Sequence, residues 1–368
     1  MKKNKISLAK PNIQEADILR LQNVLKSGNL VQGKEVEFIE SKICSYLYSD
    51  FASMVASGTA SLHIALKVLD IGIGDEVIIP AFSFIATANV IELVGATPVF
   101  VDINIDTFNI DEKKIEEKIS AKTKAIMPVH EFGLCANMPE ILKIAKKHSL
   151  YVIEDAACAL GAKINNKFAG TFGDFGSFSF HPRKAITSGE GGCIITNNKI
   201  YNKQIKTLRN HGIEHGNAPI NFIEAGFNYR MTDFQASLLN GQLNRLEDII
   251  EKRNVYANIY SNKIKNQNIK LPTIPKNYNH TWQTYHLLLK DESTRNKLMV
   301  YLLGNGVQSN YGAQCMPCMT YYKNKYKHNS EIKFPNAYKA YSCGLAIPLY
   351  ENLSIEEVEY IINLLNKF

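Results

Sequence analysis

A chain of 368 residues is long enough for one large unit and one smaller one, and its 45% hydrophobic and 21% charged content suits a globular enzyme rather than a disordered or fibrous chain. The net charge of +7 is mild, and the lysines are scattered rather than gathered into a block, which argues against a nucleic-acid footprint. Seven widely spaced cysteines exclude a secreted disulfide framework, and Cys315-Met-Pro-Cys318 has no second pair near it to complete a zinc site.

At the start, Met1-Lys-Lys-Asn-Lys5 leads into no long apolar run, and no stretch of the chain nears the ~20 apolar residues of a membrane helix. The expected location is the cytoplasm, with no membrane partner. Apolar residues at helical spacing predict a helix over 15–25, closed by Gly28, and a second helix running through Tyr48. Then a rhythm begins: a strand over 52–56, Gly58-Thr59, a helix over 60–69, and the strand Glu76-Val-Ile-Ile-Pro80. Further strands are predicted over 98–101, 125–129 and 151–154, with a helix over 138–148. Alternation of this kind predicts an α/β fold with a mainly parallel sheet covered by helices on both faces. A strand over 192–196 and a helix to Asn210 follow. One long helix is expected over 232–265, linking a large unit (1–250) to a smaller α+β unit (251–368). Strands over 285–289 and 307–311 and a helix over 355–365, capped by Ser354, complete the smaller unit.

The most informative stretch is Gly176-Ser-Phe-Ser-Phe-His-Pro-Arg-Lys-Ala-Ile-Thr-Ser-Gly-Glu-Gly-Gly192. Its first half reads as a buried strand over 177–180, and its second half is too rich in glycine for a regular helix. Between them Lys184 stands at the mouth of a strand. Upstream, Tyr151-Val-Ile-Glu-Asp155 is a strand that ends on an acid. A lysine and an acid at the carboxyl ends of neighbouring parallel strands converge on one crevice. That is the pairing pyridoxal phosphate requires: Lys184 to hold the aldehyde as a Schiff base, Asp155 to keep the ring nitrogen protonated. Any one lysine among so many is more often a solvated surface group, so the rest of the chain must support this reading.

Other sites on the same sheet edge do support it. Gly58-Thr59 lies where a helix begins, and a helix N-terminus offers free N–H groups and a favourable dipole to a phosphate; an ordinary cap is the plainer alternative. Phe84, just past a strand end, could stack on a flat ring, although core packing is the default for a phenylalanine. Ser179 precedes Lys184 and could add a hydroxyl to the phosphate. Phosphate, ring face, ring nitrogen and aldehyde each then have a partner.

Over essentially its whole length the sequence resembles the DegT/DnrJ/StrS family of pyridoxal-phosphate nucleotide-sugar aminotransferases. The resemblance rests on Ser27-Gly-Asn-Leu-Val-Gln-Gly33, Ala56-Ser-Gly-Thr-Ala60, Gly74-Asp-Glu-Val-Ile-Ile-Pro80, Ala96-Thr-Pro-Val-Phe-Val-Asp102 and Pro128-Val-His130. It continues through Glu154-Asp-Ala-Ala157, Ser177-Phe-Ser-Phe-His-Pro182, Lys184, Gly189-Glu-Gly-Gly192, Arg209-Asn-His-Gly212 and Gly226-Phe-Asn-Tyr-Arg-Met231. It implies a fold-type I enzyme with a seven-stranded sheet, working as a homodimer with shared active sites. It also implies Lys184 as the Schiff-base lysine, Asp155 as the partner of the ring nitrogen and Phe84 as the stacking aromatic. Gly58, Thr59 and Ser179 would bind the phosphate, joined by Asn228 from the other subunit.

The chain departs from the family at two places. Three residues after the aspartate, where the family usually has Gln, His or Glu beneath the ring, it has Cys158. Where the family often has His-Tyr-x-Pro-Leu-His near the substrate, it has Ser309-Asn-Tyr-Gly-Ala-Gln-Cys-Met-Pro317, in which Tyr311 and Gln314 are candidates for sugar contacts.

The reaction implied by the resemblance moves an amino group from L-glutamate to a nucleotide-linked 4-keto-6-deoxy sugar for surface polysaccharide. Ala56-Ser-Gly-Thr-Ala-Ser-Leu-His63 is more like members that aminate C4, in particular those forming dTDP-4-amino-4,6-dideoxyglucose, than like C3-aminating members. C3 amination, or a UDP- or GDP-linked substrate, is the alternative. A sugar dehydratase of the same fold would have histidine in place of Lys184. A non-catalytic regulator would lack a complete set of cofactor partners. A dinucleotide-binding oxidoreductase would need Gly-x-Gly-x-x-Gly after its first strand, whereas Gly170, Gly173 and Gly176 precede a strand.

Overall fold

The computed structural model describes residues 5–214, 216 and 219–368; Met1 to Asn4 of the N-terminal reading lie outside them. Short runs such as Val77-Ile-Ile79 have too few residues for a helix and apolar groups on both sides of a strand, so they must be buried on two faces. Seven such segments form the main sheet: β1 (Phe51–Val55), β2 (Glu76–Pro80), β3 (Thr97–Val101), β4 (Thr123–Ile126), β5 (Tyr151–Asp155), β6 (Phe175–Ser179) and β7 (Gly192–Thr196). Their order is β1-β7-β6-β5-β4-β2-β3. β7 runs antiparallel to both its neighbours, and the other four pairings are parallel. The alternation of side chains sorts them between two apolar layers. Ile78, Met54 and Ile195 join one layer, with Ile39 and Ile43 of the helix Lys34–Leu47. Val77, Ile79, Val55 and Ile194 join the other, with Ile64 of the helix Gly58–Val68.

A third apolar cluster gathers around a small antiparallel sheet of Ile269–Lys270, Tyr285–Leu289 and Gly344–Ile347. The helix Leu246–Lys263 belongs to both regions: Leu246, Ile249 and Ile250 enter the first layer, and Tyr256, Ala257 and Tyr260 enter the third cluster.

Three expected elements differ. The single helix over 232–265 is two helices, Asp233–Leu243 and Leu246–Lys263, broken at Asn244 and Arg245. The break is held by polar contacts from other elements: Arg245 Nη2 donates to buried Asp17 at 2.7 Å, and Lys42 Nζ donates to Asn244 Oδ1. The strand over 307–311 is not a regular strand. Val307 bridges Ile6, and Asn310 bridges Ala346, so one short segment divides its hydrogen bonds between two partners. The strand expected over 125–129 ends earlier, at Ile126, although Val129 still bridges Asp155. Among the described residues no helix is long and apolar enough to cross a membrane.

Candidate active site

A cavity of about 390 Å³ opens at the carboxyl ends of β1, β5 and β6. Gly58, Thr59, Phe84, Asp155, Cys158, Ser179 and Lys184 all line it. The residues read from sequence at four separated places therefore face one space. Asn228 does not line the cavity of its own chain; it is exposed, in a backbone bridge with Asn210. Tyr311 and Gln314 do not line it either. Tyr311 lies against the Arg295 guanidinium, 4.3 Å from ring centroid to Cζ, and Gln314 pairs in a short strand with Ser83. Asn310, Gly312 and Ala313 of that segment reach the cavity instead.

The helix Gly58–Val68 points its N-terminus at the cavity. Ser57 caps it, its hydroxyl accepting from the Ala60 amide at 3.0 Å. Because Ser57 does the capping, the Thr59 hydroxyl is left exposed to the cavity. Packing is tight at Gly58, where an added Cβ would lie 3.0 Å from Ser179 Cβ. At the start of β7, a Cβ on Gly192 would meet the Ser57 backbone at 2.4 Å. Bare backbone at both positions draws three strand ends together around the helix terminus.

Strand periodicity gives the two acids of β5 opposite duties. Glu154 points away from the cavity and accepts from the amides of Gly170, Phe172 and Gly173 at 2.6–2.8 Å, and from His130 at 2.8 Å. Since His130 Nδ1 accepts from the Ala136 amide, its proton lies on Nε2 and is donated to Glu154. Together these bonds fix the loop that feeds β6. Asp155 turns into the cavity, with one oxygen accepting from the Thr87 hydroxyl at 2.8 Å and the other from the Ala157 amide at 3.2 Å. Burial pushes its carboxyl above the ordinary aspartate range, while Thr87, Ala157 and the charge of Lys184 oppose that shift. A cation beside it would favour the ionised form.

Lys184 follows β6 in a turn closed by its own amide, which donates to His181 O at 2.8 Å. Its Nζ donates to Cys158 Sγ at 3.0 Å. Burial pushes the Cys158 thiol up, so it remains a thiol. Behind the turn, Gln242 grips both the amide and the carbonyl of Thr187. Phe84 is 56% exposed, unlike its neighbour Phe82, which is fully buried. A large aromatic left open to a cavity can pack against a flat ligand.

Sequence reading missed Ser57, Glu131, His181, Arg183, Glu190 and Gln283 of the lining. Glu131 is the most unusual. It is 4% exposed, and its Oε2 has no hydrogen-bond partner. Burial, reinforced by the charge of Asp155, pushes its carboxyl up to about 8, against the pull of Lys184, the Phe132 amide and Ser83. An acid directly after Pro128-Val-His130, at a strand's carboxyl end, was the available signal.

The donor set fits pyridoxal phosphate on the observations of this structure. A primary amine and a buried carboxylate share one cavity with an open aromatic, a helix N-terminus and two hydroxyls. The profile of the DegT/DnrJ/EryC1/StrS aminotransferase family matches residues 11–366. The chain is 36% identical to the dTDP-3-amino-3,6-dideoxy-alpha-D-galactopyranose transaminase of Aneurinibacillus thermoaerophilus, over 95% of this chain and 94% of that one. It is 35% identical to the GDP-perosamine synthase of Escherichia coli O157:H7, over 92% and 91%. A Streptococcus pneumoniae protein solved in apo, PLP and PMP forms superposes with a TM-score of 0.94 in the PMP form, at 29% identity, covering 99% of this chain and 97% of that one. The chain belongs to the DegT/DnrJ/EryC1/StrS aminotransferase family and is a pyridoxal-phosphate-dependent sugar aminotransferase of nucleotide sugars.

Proposed function

We propose that the enzyme moves an amino group from L-glutamate to C4 of a nucleotide-linked 4-keto-6-deoxy sugar, dTDP-linked, for surface polysaccharide. The observation that carries the reading is the convergence of Lys184 and Asp155 on one cavity beside Phe84 and the Gly58–Val68 helix N-terminus. When bound, the cofactor supplies an aldehyde that takes up the amino group and a ring that draws off the electron pair. Lys184 would hold the aldehyde through its amine. During turnover its free amine removes the proton from the amino-bearing carbon of glutamate, and in the second half it delivers a proton to the sugar carbon. Asp155 holds positive charge at the ring nitrogen, the position that stabilises a developing carbanion. Gly58, Thr59 and Ser179 would hold the phosphate at the helix N-terminus, and Phe84 would offer its face to the ring.

Asn228 reaches the neighbouring subunit's phosphate in a homodimer. Residues 1–250 form the larger, cofactor-binding unit, and 251–368 the smaller α+β unit. The site acts in the cytoplasm. The segment Ala56-Ser-Gly-Thr-Ala-Ser-Leu-His63 favours C4. A second reading, amination at C3, is favoured by the 36% identity to a transaminase whose product is a 3-amino sugar.

One experiment covers both levels. The purified protein is expected to absorb visible light, and Lys184→Ala to abolish that band and the turnover. A panel of 3-keto and 4-keto nucleotide sugars with glutamate, followed by NMR of the product, is expected to give the amine at C4. A band unchanged in K184A overturns the site, and amination at C3 overturns the position.

A further inference from the structure

Around the pyridine ring the substituents have a fixed order: nitrogen, methyl carbon, phenolic carbon, aldehyde carbon, phosphate-bearing carbon. In the reading above, Asp155 takes the nitrogen, Lys184 the aldehyde, and Gly58, Thr59 and Ser179 the phosphate. One polar substituent, the 3-oxygen, has no partner. It lies on the edge between the nitrogen and the aldehyde, so its partner must sit near both Asp155 and Lys184.

Two cavity-lining side chains meet that condition. Cys158 and Glu131 both line the cavity and each feel the charges of Asp155 and Lys184, and Cys158 also feels Glu131. The Cys158 sulfur already accepts from Lys184 Nζ at 3.0 Å. A thiol is a weak hydrogen-bonding group. Glu131 lines the cavity while only 4% exposed, and its Oε2 has no hydrogen-bond partner. Leaving such an atom unmatched is costly, so a polar group of a bound ligand within its reach would be stabilised by pairing with it.

We propose that Glu131 is a cofactor-binding residue whose carboxylic acid donates a hydrogen bond to the 3-oxygen of pyridoxal phosphate. The reading rests on the proposed placement of the cofactor. Glu131 is suited to donate, because its surroundings push the carboxyl up to about 8 and it keeps its proton near neutral pH. Ser83 links the group to the far side of the site: its hydroxyl contacts Thr87 at 3.1 Å, and Thr87 donates to Asp155.

The test uses the full-length enzyme reconstituted with pyridoxal phosphate. Cofactor affinity and the position of the visible band, which follows the charge on the 3-oxygen, are the readouts. Glu131→Leu is expected to weaken cofactor binding by about ten-fold, the loss of one charge-assisted hydrogen bond, and to shift the band. Glu131→Gln keeps an N–H donor of similar shape and is expected to retain both properties. Adding Cys158→Gln to the leucine variant is expected to restore them. Glu131→Ala repeats the reading without added bulk should the leucine variant lose its fold. Unchanged affinity and band in E131L, or equal losses in E131L and E131Q, overturn the assignment. If K184A abolishes the band while E131L behaves like the unaltered enzyme, only the role of Glu131 fails; if K184A keeps the band, the placement of the cofactor itself fails.

Discussion

Adjacent acids on β5 show how little of a carboxylate's behaviour resides in its type. Glu154 is saturated by three amides and a histidine and is a structural brace. Asp155, one residue on, faces the cavity with two contacts. Glu131 across the cavity is held protonated by burial and by Asp155. This has a consequence for stability in the cofactor-free protein. Between its ordinary value of 4.5 and the folded value of about 8, Glu131 keeps its proton in the native state and loses it in the unfolded one. The native state binds more protons across that window, so stability falls as pH rises through it. Glu131→Gln removes the dependence. The melting temperature of E131Q minus that of the unaltered protein is therefore expected to be larger at pH 8 than at pH 5; a difference independent of pH would refute the burial account of Glu131.

Among the elements, the helix Leu246–Lys263 is the one shared between the main sheet and the small sheet. Its buried Arg253 is tied to Glu351, just past the strand Gly344–Ile347, at 2.9 and 3.1 Å. Both side chains are about 4% exposed. Removing one partner strands the other charge in the interior, which typically costs ~3–5 kcal/mol, whereas an apolar pair of similar volume can be nearly neutral. Glu351→Ala is expected to lower stability by that order in urea unfolding, and Arg253→Met with Glu351→Leu to recover most of it. A double variant as unstable as E351A would show that packing, not the uncompensated charge, carries the effect. Other element-scale features were plain in sequence. Ser354 and Glu357 form the capping box of the last helix, and Gly28 ends the first at φ 73°. The break at Asn244–Arg245 was not legible, because its cause is Asp17 and Lys42, some 200 residues away in the chain.

On the scale of the whole molecule, one residue tied to the site by resemblance points elsewhere. Asn228 is exposed and outside its own chain's cavity, which suits a contribution to a second copy. If each site combines Lys184 of one chain with Asn228 of the other, a mixture of Lys184→Ala and Asn228→Ala proteins forms hybrids with one intact site of two. Activity is expected to rise on mixing, toward about half that of the unaltered dimer in the hybrid fraction, with a 1:1 random mixture setting the scale. Mixing that leaves activity at the sum of the two parents would sink the shared-site reading.

By itself, the sequence determined the alternation of strands and helices, the family, and the positions of Lys184, Asp155, Phe84, Gly58, Thr59 and Ser179 on one sheet edge. These are legible because hydrophobic period, glycine placement and strand ends are local properties of a chain. Only the tertiary structure decided that Ser57 rather than Thr59 caps the helix, that Tyr311 and Gln314 turn away from the cavity, and that Glu131 enters it with an unmatched oxygen. Those outcomes depend on which groups from distant segments meet each side chain, and a side chain's burial and protonation are set by that company rather than by its neighbours in sequence.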